Sequence, residues 1–239
     1  MAIWCEIGGE CVHKSEAIRI VSSQGWLSRR PQSFRDALLP HCILKVYEAG
    51  ASLYHAGDPP SGMFGLVSGQ WMFRVPPAEI LISVASPGYW VGEAVSFGLD
   101  QRKQTVTVKQ RSVVLHLPQP AFLMLIADAD NCRNIAINTA ETLYEAITII
   151  ANLIQPHSEV RVAQRLLTFL GLHDETQARA FAVSQIELAE MCGLSRTSLG
   201  TAISSLVDRG IVAQHYGRLE VLDVAALRRL ATEDERIWR

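Results

Sequence analysis

The 239-residue chain has no long hydrophobic run. Its longest apolar stretches, such as Ala121–Ile126, fall far short of the ~18 residues a membrane-spanning helix needs. The segment holding Glu6 and Glu10 has no basic start followed by an apolar core, so no secretion signal is expected. An excess of either charge is also missing: the net charge of −2 gives no global sign of a nucleic-acid partner. A local basic face is all that such binding requires. Cysteine is scarce and unpaired in pattern. Cys5, Cys11, Cys42, Cys132 and Cys192 are scattered and odd in number, which excludes a disulfide framework and points to a reducing, cytoplasmic compartment. Phosphate-binding Gly-rich loops, metal-ligand clusters at useful spacing and a nucleophile–base set are absent from the pattern. No enzyme, no metal site and no cofactor are therefore expected. What is present is 49% hydrophobic and 19% charged residues, an ordinary globular balance. The length suits two domains of ~100–200 residues each.

Three zones follow one another. Between Leu44 and Leu117, short apolar stretches alternate with turn residues: Leu53-Tyr54, Gly57-Asp58-Pro59-Pro60, Met63 to Val67, Ser68-Gly69, Trp71 to Val75. Short strands at close, regular spacing predict a β-sandwich or jelly-roll barrel. A helical arm with Trp26-Leu27 and Phe34 to Leu39 packs on it. The period then changes. Ala136, Ala140, Leu143, Ile147, Ile150 and Ile154 are spaced as a heptad seam, and Pro156 stops the helix. A second line, Ile137, Tyr144, Thr148 and Ala151, is assigned to the barrel side, leaving the seam as the interface of a homodimer. Beyond Ser158 the pattern is helical and closes with paired strands from Ile211 to Leu222. The expected division is a sensor domain over 1–130, a dimerisation helix over 131–156 and a DNA-binding domain over 157–239.

The strongest local signal runs from Ser184 to Leu206. Ser184 and Glu187 form a capping box that starts a helix at Gln185. Ile186, Leu188 and Ala189 are expected to face inward, with Ala189 small enough for a close helix crossing. Gly193 supplies the left-handed residue of a tight turn, and Ser195 caps the next helix and is counted among the DNA-binding residues. Leu199, Ala202, Ile203 and Leu206 pin that helix to the core. Arg196, Thr197, Ser198, Gly200 and Thr201 then lie outside near its N-terminal end, the part of a recognition helix that meets base edges. Arg196 can hold guanine with two hydrogen bonds, worth ~1–3 kcal/mol of discrimination. Gln185 sits where a helix N-terminus favours phosphate. A β-hairpin wing carries His215, Tyr216 and Arg218 to the DNA backbone.

With both halves read, the sequence resembles the Crp-Fnr family of bacterial transcription regulators from about Trp26 to Leu227. The resemblance rests on Gly50-Ala-Ser-Leu-Tyr-His-Ala-Gly-Asp58, Gly65-Leu-Val-Ser-Gly69 and Gly92-Glu93 in the N-terminal half. In the C-terminal half it rests on Arg161-Val-Ala-Gln-Arg-Leu-Leu167, Leu188-Ala189, Gly193-Leu-Ser-Arg196 and Gly210-Ile211. It implies an α+β chain: an N-terminal cyclic-nucleotide-binding-type β jelly roll, a long central dimerisation helix and a C-terminal winged helix-turn-helix. It also implies a homodimer on double-stranded DNA, at a pseudo-palindromic operator with half-sites about one helical turn apart. RNA polymerase is a further partner if the protein activates.

The departures from the family pattern matter as much. Members that bind cyclic AMP follow Gly-Glu with an Arg-Ser pair that holds the phosphate. Here those positions are Lys103 and Gln104, with Arg102 adjacent, and Lys offers a flexible point charge where a guanidinium would clamp. Ala146 and Ile147 stand where nucleotide binders present hydroxyls, with Thr148 one place off. The effector pocket is thus assigned to Gly92, Glu93, Arg102, Lys103, Gln104 and Thr148, and cyclic AMP is not expected to bind in the usual way. An iron–sulfur centre needs four thiolates, and Cys5, Cys11, Cys42 and Cys132 are too scattered to read as one. His13, His41, His55 and His116 are available as haem ligands, without a diagnostic pairing. On the recognition helix, an acidic residue and a second Arg of the best-known family code are replaced by Thr197 and Thr201, so a different operator is expected.

Overall fold

The computed structural model describes residues 4–7, 10–172, 180–215 and 217–232, with side chains over 13–170, 180–215 and 217–232. Contacts divide the chain into two compact units, Met1–Thr142 and Leu143–Arg239. The long helix, Ala129–Leu153, contributes to both rather than forming a segment of its own. It ends before Pro156, whose ring disfavours helical geometry at the preceding residue.

The first unit is built on an antiparallel sheet. Strands Gly62–Val75 and Thr105–Pro118 pair from Gly62↔Pro118 to Arg74↔Thr105 and form its spine. Ile43–Tyr47 and Ile80–Ala85 flank them, and Ser52–Tyr54 and Trp90–Val91 add short pairings. The sequence pattern reads the first spine strand as separate short strands broken at Ser68-Gly69. Instead it is continuous, with register shifts from Leu66 to Trp71 that bend it around the core. Gly69 makes this bulge: its φ is +96°, and a Cβ there would lie 2.3 Å from the Ser112 hydroxyl. Tyr54, Phe64, Leu66, Trp71, Phe73, Val106, Val108 and Val114 fill the inside of the barrel.

The helical arm, Lys14–Ser23, Gly25–Ser28 and Gln32–Leu38, closes a second core. Trp26 anchors it edge-on against both Phe34 and Trp90, whose ring centroids lie 5.6 and 6.1 Å away.

In the second unit, helix Ser158–Leu172 packs against helix Val224–Thr232 and against helix Arg196–Asp208. Between them comes a three-stranded sheet in which Arg218–Val221 pairs with Val212–His215 and with Ala180–Phe181. No helix among the described residues is long and apolar enough to cross a membrane.

Candidate functional site

Helices Gln185–Cys192 and Arg196–Asp208 form the helix-turn-helix, and each is started by a local polar device. The Ser184 hydroxyl accepts from the Glu187 amide at 3.2 Å while the Glu187 carboxylate accepts from the Ser184 amide at 2.7 Å. Both amides would otherwise be orphaned at the helix start. Gly193 stands at φ +59° and ψ 39°, the left-handed turn between the helices. The Ser195 oxygen accepts from the Ser198 amide at 3.1 Å, so its part in the site is to hold the helix end.

Leu199, Ala202, Ile203 and Leu206 are at most 1% exposed and fasten the second helix from its inner side. Arg196, Thr197, Ser198 and Thr201 are exposed on the other side, with Gly200 half-buried among them. The four predicted polar contacts and the glycine thus share one outward face around the N-terminal turns. Gln185 is exposed at the first position of the first helix. Ile186 departs from expectation: it is 53% exposed, because a residue two before Leu188 points to the side opposite Leu188 and Cys192. On the hairpin, Arg218 is exposed and pairs in register with His215. Tyr216 lies outside the described residues.

Two arginines secure the turn. The first helix ends in carbonyls without intrahelical donors. Arg161 Nη1 donates to Cys192 O and Gly193 O at 3.1 and 3.2 Å, and its Nε and Nη2 donate to Gln155 O. Arg165, 1% exposed, donates from Nη2 to Met191 O at 2.6 Å. In the sequence both residues stand out only as part of the Arg161–Leu167 motif. Their function as clasps needed the fold.

Ala136, Ala140, Leu143, Ile147 and Ile150 of the long helix, and Ile154 just after it, are all exposed in the single chain. Leu143, Ile147, Ile150 and Ile154 are 52–74% exposed, an uncovered apolar stripe in the second unit. The assignment of Tyr144, Thr148 and Ala151 to a packed side is corrected. Tyr144 is 70% exposed, and the helix instead buries Ile135 and Asn138 in the first unit and Ile149 and Asn152 in the second. A helix's buried side follows whichever residues its neighbours reach, and polar Asn can be buried when it is hydrogen-bonded.

A cavity of about 300 Å³ opens in the first unit. Gly92, Glu93, Arg102, Lys103 and Gln104, the residues assigned to an effector pocket, line it together. Gly92 has φ +106°, and a Cβ there would stand 2.6 Å from Gly62 O, so a glycine is required to start the short helix Glu93–Ser96. Glu93 is 3% exposed. Burial raises its carboxyl to about 7, against hydrogen bonds from Asn138 and Thr139 that favour the charged form. Arg102 is 4% exposed and lies 3.8 Å over the Tyr54 ring, with Nη2 donating to Ser61 Oγ at 2.9 Å and to Gly62 O at 3.2 Å. Its Nε has no partner among the described residues. Arg102, and not Lys103, is the buried cation: the backbone pairing of Arg102 with Gly57 and Asp58 turns its side chain inward and leaves Lys103 exposed. The long helix brings Thr142 to the cavity. Thr148 belongs to the second unit, where its hydroxyl donates to Tyr144 O. Tyr54, Asn138 and Thr142 were missed because nothing local marks them.

Cys42 is 2% exposed and its thiol donates to Leu38 O. Burial pushes that thiol up to about 12, so it stays protonated. Among the described residues no group of three metal-binding side chains converges. The side chains of Cys5 and Cys11 lie outside the described residues. His116 stacks on Phe64, with its Nε2 donating to Ser61 O at 2.8 Å.

Residues 44–129 match the family model of the cyclic nucleotide-binding domain, and residues 160–230 match that of the Crp-like helix-turn-helix domain. The chain is 25% identical over 200 residues to the Cyclic AMP receptor protein of Thermus thermophilus, across 82% of this chain and 91% of that protein. It is 23% identical over 185 residues to the cAMP-activated global transcriptional regulator CRP of Pasteurella multocida, across 74% of this chain and 88% of that one. The solved structure of a transcriptional regulator of the CRP family, also from Thermus thermophilus, shares 25% identity at a TM-score of 0.61, covering 78% of this chain and 96% of that one. With both domains matched in this order, over the barrel and the capped helix pair described above, the chain belongs to the Crp-Fnr family of bacterial transcription regulators.

Proposed function

We propose that this regulator binds DNA as a homodimer at a pseudo-palindromic operator, and that its sensor domain does not take cyclic AMP in the family's usual way. The observation that carries the DNA-binding half is the outward face of helix Arg196–Asp208, where Arg196, Thr197, Ser198 and Thr201 are exposed while the opposite side is wholly buried. Such a face suits major-groove entry, with Arg196 reading a base and Gln185 and Arg218 on phosphates. Tyr216, from the same hairpin, is assigned to phosphate as well. Dimerisation through the seam is supported by its exposure: aliphatic side chains from Leu143 to Ile154 stand in water unless a second copy covers them. The protein acts in the cytoplasm, and RNA polymerase is its further partner wherever the operator position favours activation.

Binding of a labelled promoter fragment, compared between the wild type and Arg196→Ala, tests the reading. A loss of ~5–150-fold is expected, the equivalent of ~1–3 kcal/mol for one two-bonded base contact. A loss no greater than that of an exposed Arg→Ala far from this helix would remove Arg196 from the interface.

The match of residues 44–129 to a cyclic nucleotide-binding domain favours a second reading, a nucleotide-responsive sensor. Against it stands the pair after Arg102. Lys103 is exposed, and Gln104 replaces the hydroxyl that the family offers to phosphate. Titration with cyclic AMP decides between the two. Absorbance of the purified protein decides on haem.

A further inference from the structure

We propose that Thr201 reads a thymine through its methyl group, in the same operator half-site as the base assigned to Arg196. The inference rests on the reading above, in which the outward face of helix Arg196–Asp208 enters the major groove. It names what one residue of that face recognises.

The hydroxyls of this face are already engaged within the protein. Those of Ser195 and Ser198 lie 2.9 Å apart and bond each other, and the Ser195 oxygen also accepts from the Ser198 amide. Thr201 Oγ1 donates to Thr197 O, one turn back, at 3.2 Å. A threonine hydroxyl has one proton, so Thr201 has none left for a base oxygen or a purine nitrogen. The same bond fixes the side chain about Cα–Cβ, with the hydroxyl turned to the preceding turn and the methyl left free. In the major groove the thymine methyl is the apolar mark of a base pair, and a threonine methyl is a fitting partner for it.

Space and charge agree with this. Gly200 precedes Thr201, with nothing within 4 Å of the point a Cβ would occupy. The missing side chain leaves that flank open, so a thymine methyl can come into contact. Arg196 is the sole cation between Arg196 and Asp208. Bases beyond the one it reads must be distinguished by neutral groups. A methyl contact does this without stripping water from a charge.

The test uses the full-length protein and duplex DNA. Sequences bound from a randomised duplex library define the half-site, and each thymine in it is then replaced by deoxyuridine, which lacks only the methyl. One thymine per half-site is expected to lose about fourfold in affinity, the effect of withdrawing one buried methyl-sized group. Thr201→Ser keeps the hydroxyl and removes the methyl, so it should bind the two duplexes equally. Thr201→Val keeps a methyl and removes the hydroxyl, so it should still prefer thymine. Residue 201 is exposed, and neither replacement should disturb the fold. The proposal is overturned if no thymine is sensitive in the wild type, if the serine variant still discriminates, or if the valine variant does not. Arg196→Ala on the same duplexes keeps two failures apart. Weaker binding by that variant with no sensitive thymine removes Thr201 alone and leaves the DNA-reading face standing. A wild type that selects no sequence removes both.

Discussion

Asn138 Nδ2 donates to Glu93 Oε1 at 2.8 Å, and the same amide group reaches Trp90 O at 3.4 Å. The Glu93 carboxyl of the sensor cavity is thus held directly by the long helix, with Thr139 Oγ1 also 3.5 Å away. A change in the charge or position of Glu93 therefore acts first on Asn138 and Thr139 of that helix.

That bond has a pH signature. Burial raises the Glu93 carboxyl from 4.5 to about 7, so the folded form holds its proton more tightly than the unfolded one. Its contribution to stability is complete below pH ~4.5 and is lost as pH rises through ~7, on the order of 3 kcal/mol in all. Glu93→Gln keeps an oxygen for Asn138 and removes the titration. Urea midpoints of the variant should be flat over this interval where the wild type declines. Parallel curves would show that Glu93 does not titrate there.

Gly200 sits in the recognition helix with nothing within 4 Å of the position a Cβ would take. Gly200→Ala should stabilise the second unit by ~1 kcal/mol, read as a higher urea midpoint at unchanged slope. The added methyl lies on the face assigned to DNA, so promoter affinity should fall while stability rises. A joint rise of both would place Gly200 off the interface.

Arg161 supplies charged donors to the carbonyls of Gln155, Cys192 and Gly193. Arg161→Ala leaves these oxygens unpaired and should cost roughly 1.5–3 kcal/mol, with partial recovery in Arg161→Lys. Chemical denaturation of the three proteins measures it. An unchanged midpoint in the alanine variant would mean that water satisfies the turn equally well.

Ile147 and Ile150 are 52% and 62% exposed, so neither supports the fold of a single chain. Ile147→Asp and Ile150→Asp should therefore preserve the far-ultraviolet spectrum while converting a dimer into a monomer by light scattering. Affinity for a full operator should drop far more than affinity for an isolated half-site. A variant that stays dimeric would move the interface elsewhere.

The helix-turn-helix was legible in the sequence because its determinants are local. Ser184 with Glu187, Gly193 and Ser195 act within a few residues of the helix ends they set, and the inward positions Leu199, Ala202, Ile203 and Leu206 follow the helical period. Ile186 misled because apolar character alone does not choose a side. The spine strand misled too: Ser68-Gly69 reads as a turn, yet the partner strand's hydrogen bonds carry the chain through it as a bulge.

Composition, periodicity and capping residues alone determined the order of barrel, long helix and DNA-reading helix pair, since these preferences act between residues near in sequence. Only the tertiary structure decided the cavity. Arg102 was turned inward and Lys103 outward by pairing with Gly57 and Asp58, and Glu93 met Asn138 across 45 residues. Which side of the long helix is buried was likewise settled by its neighbours, because an amphipathic pattern offers faces and packing selects among them.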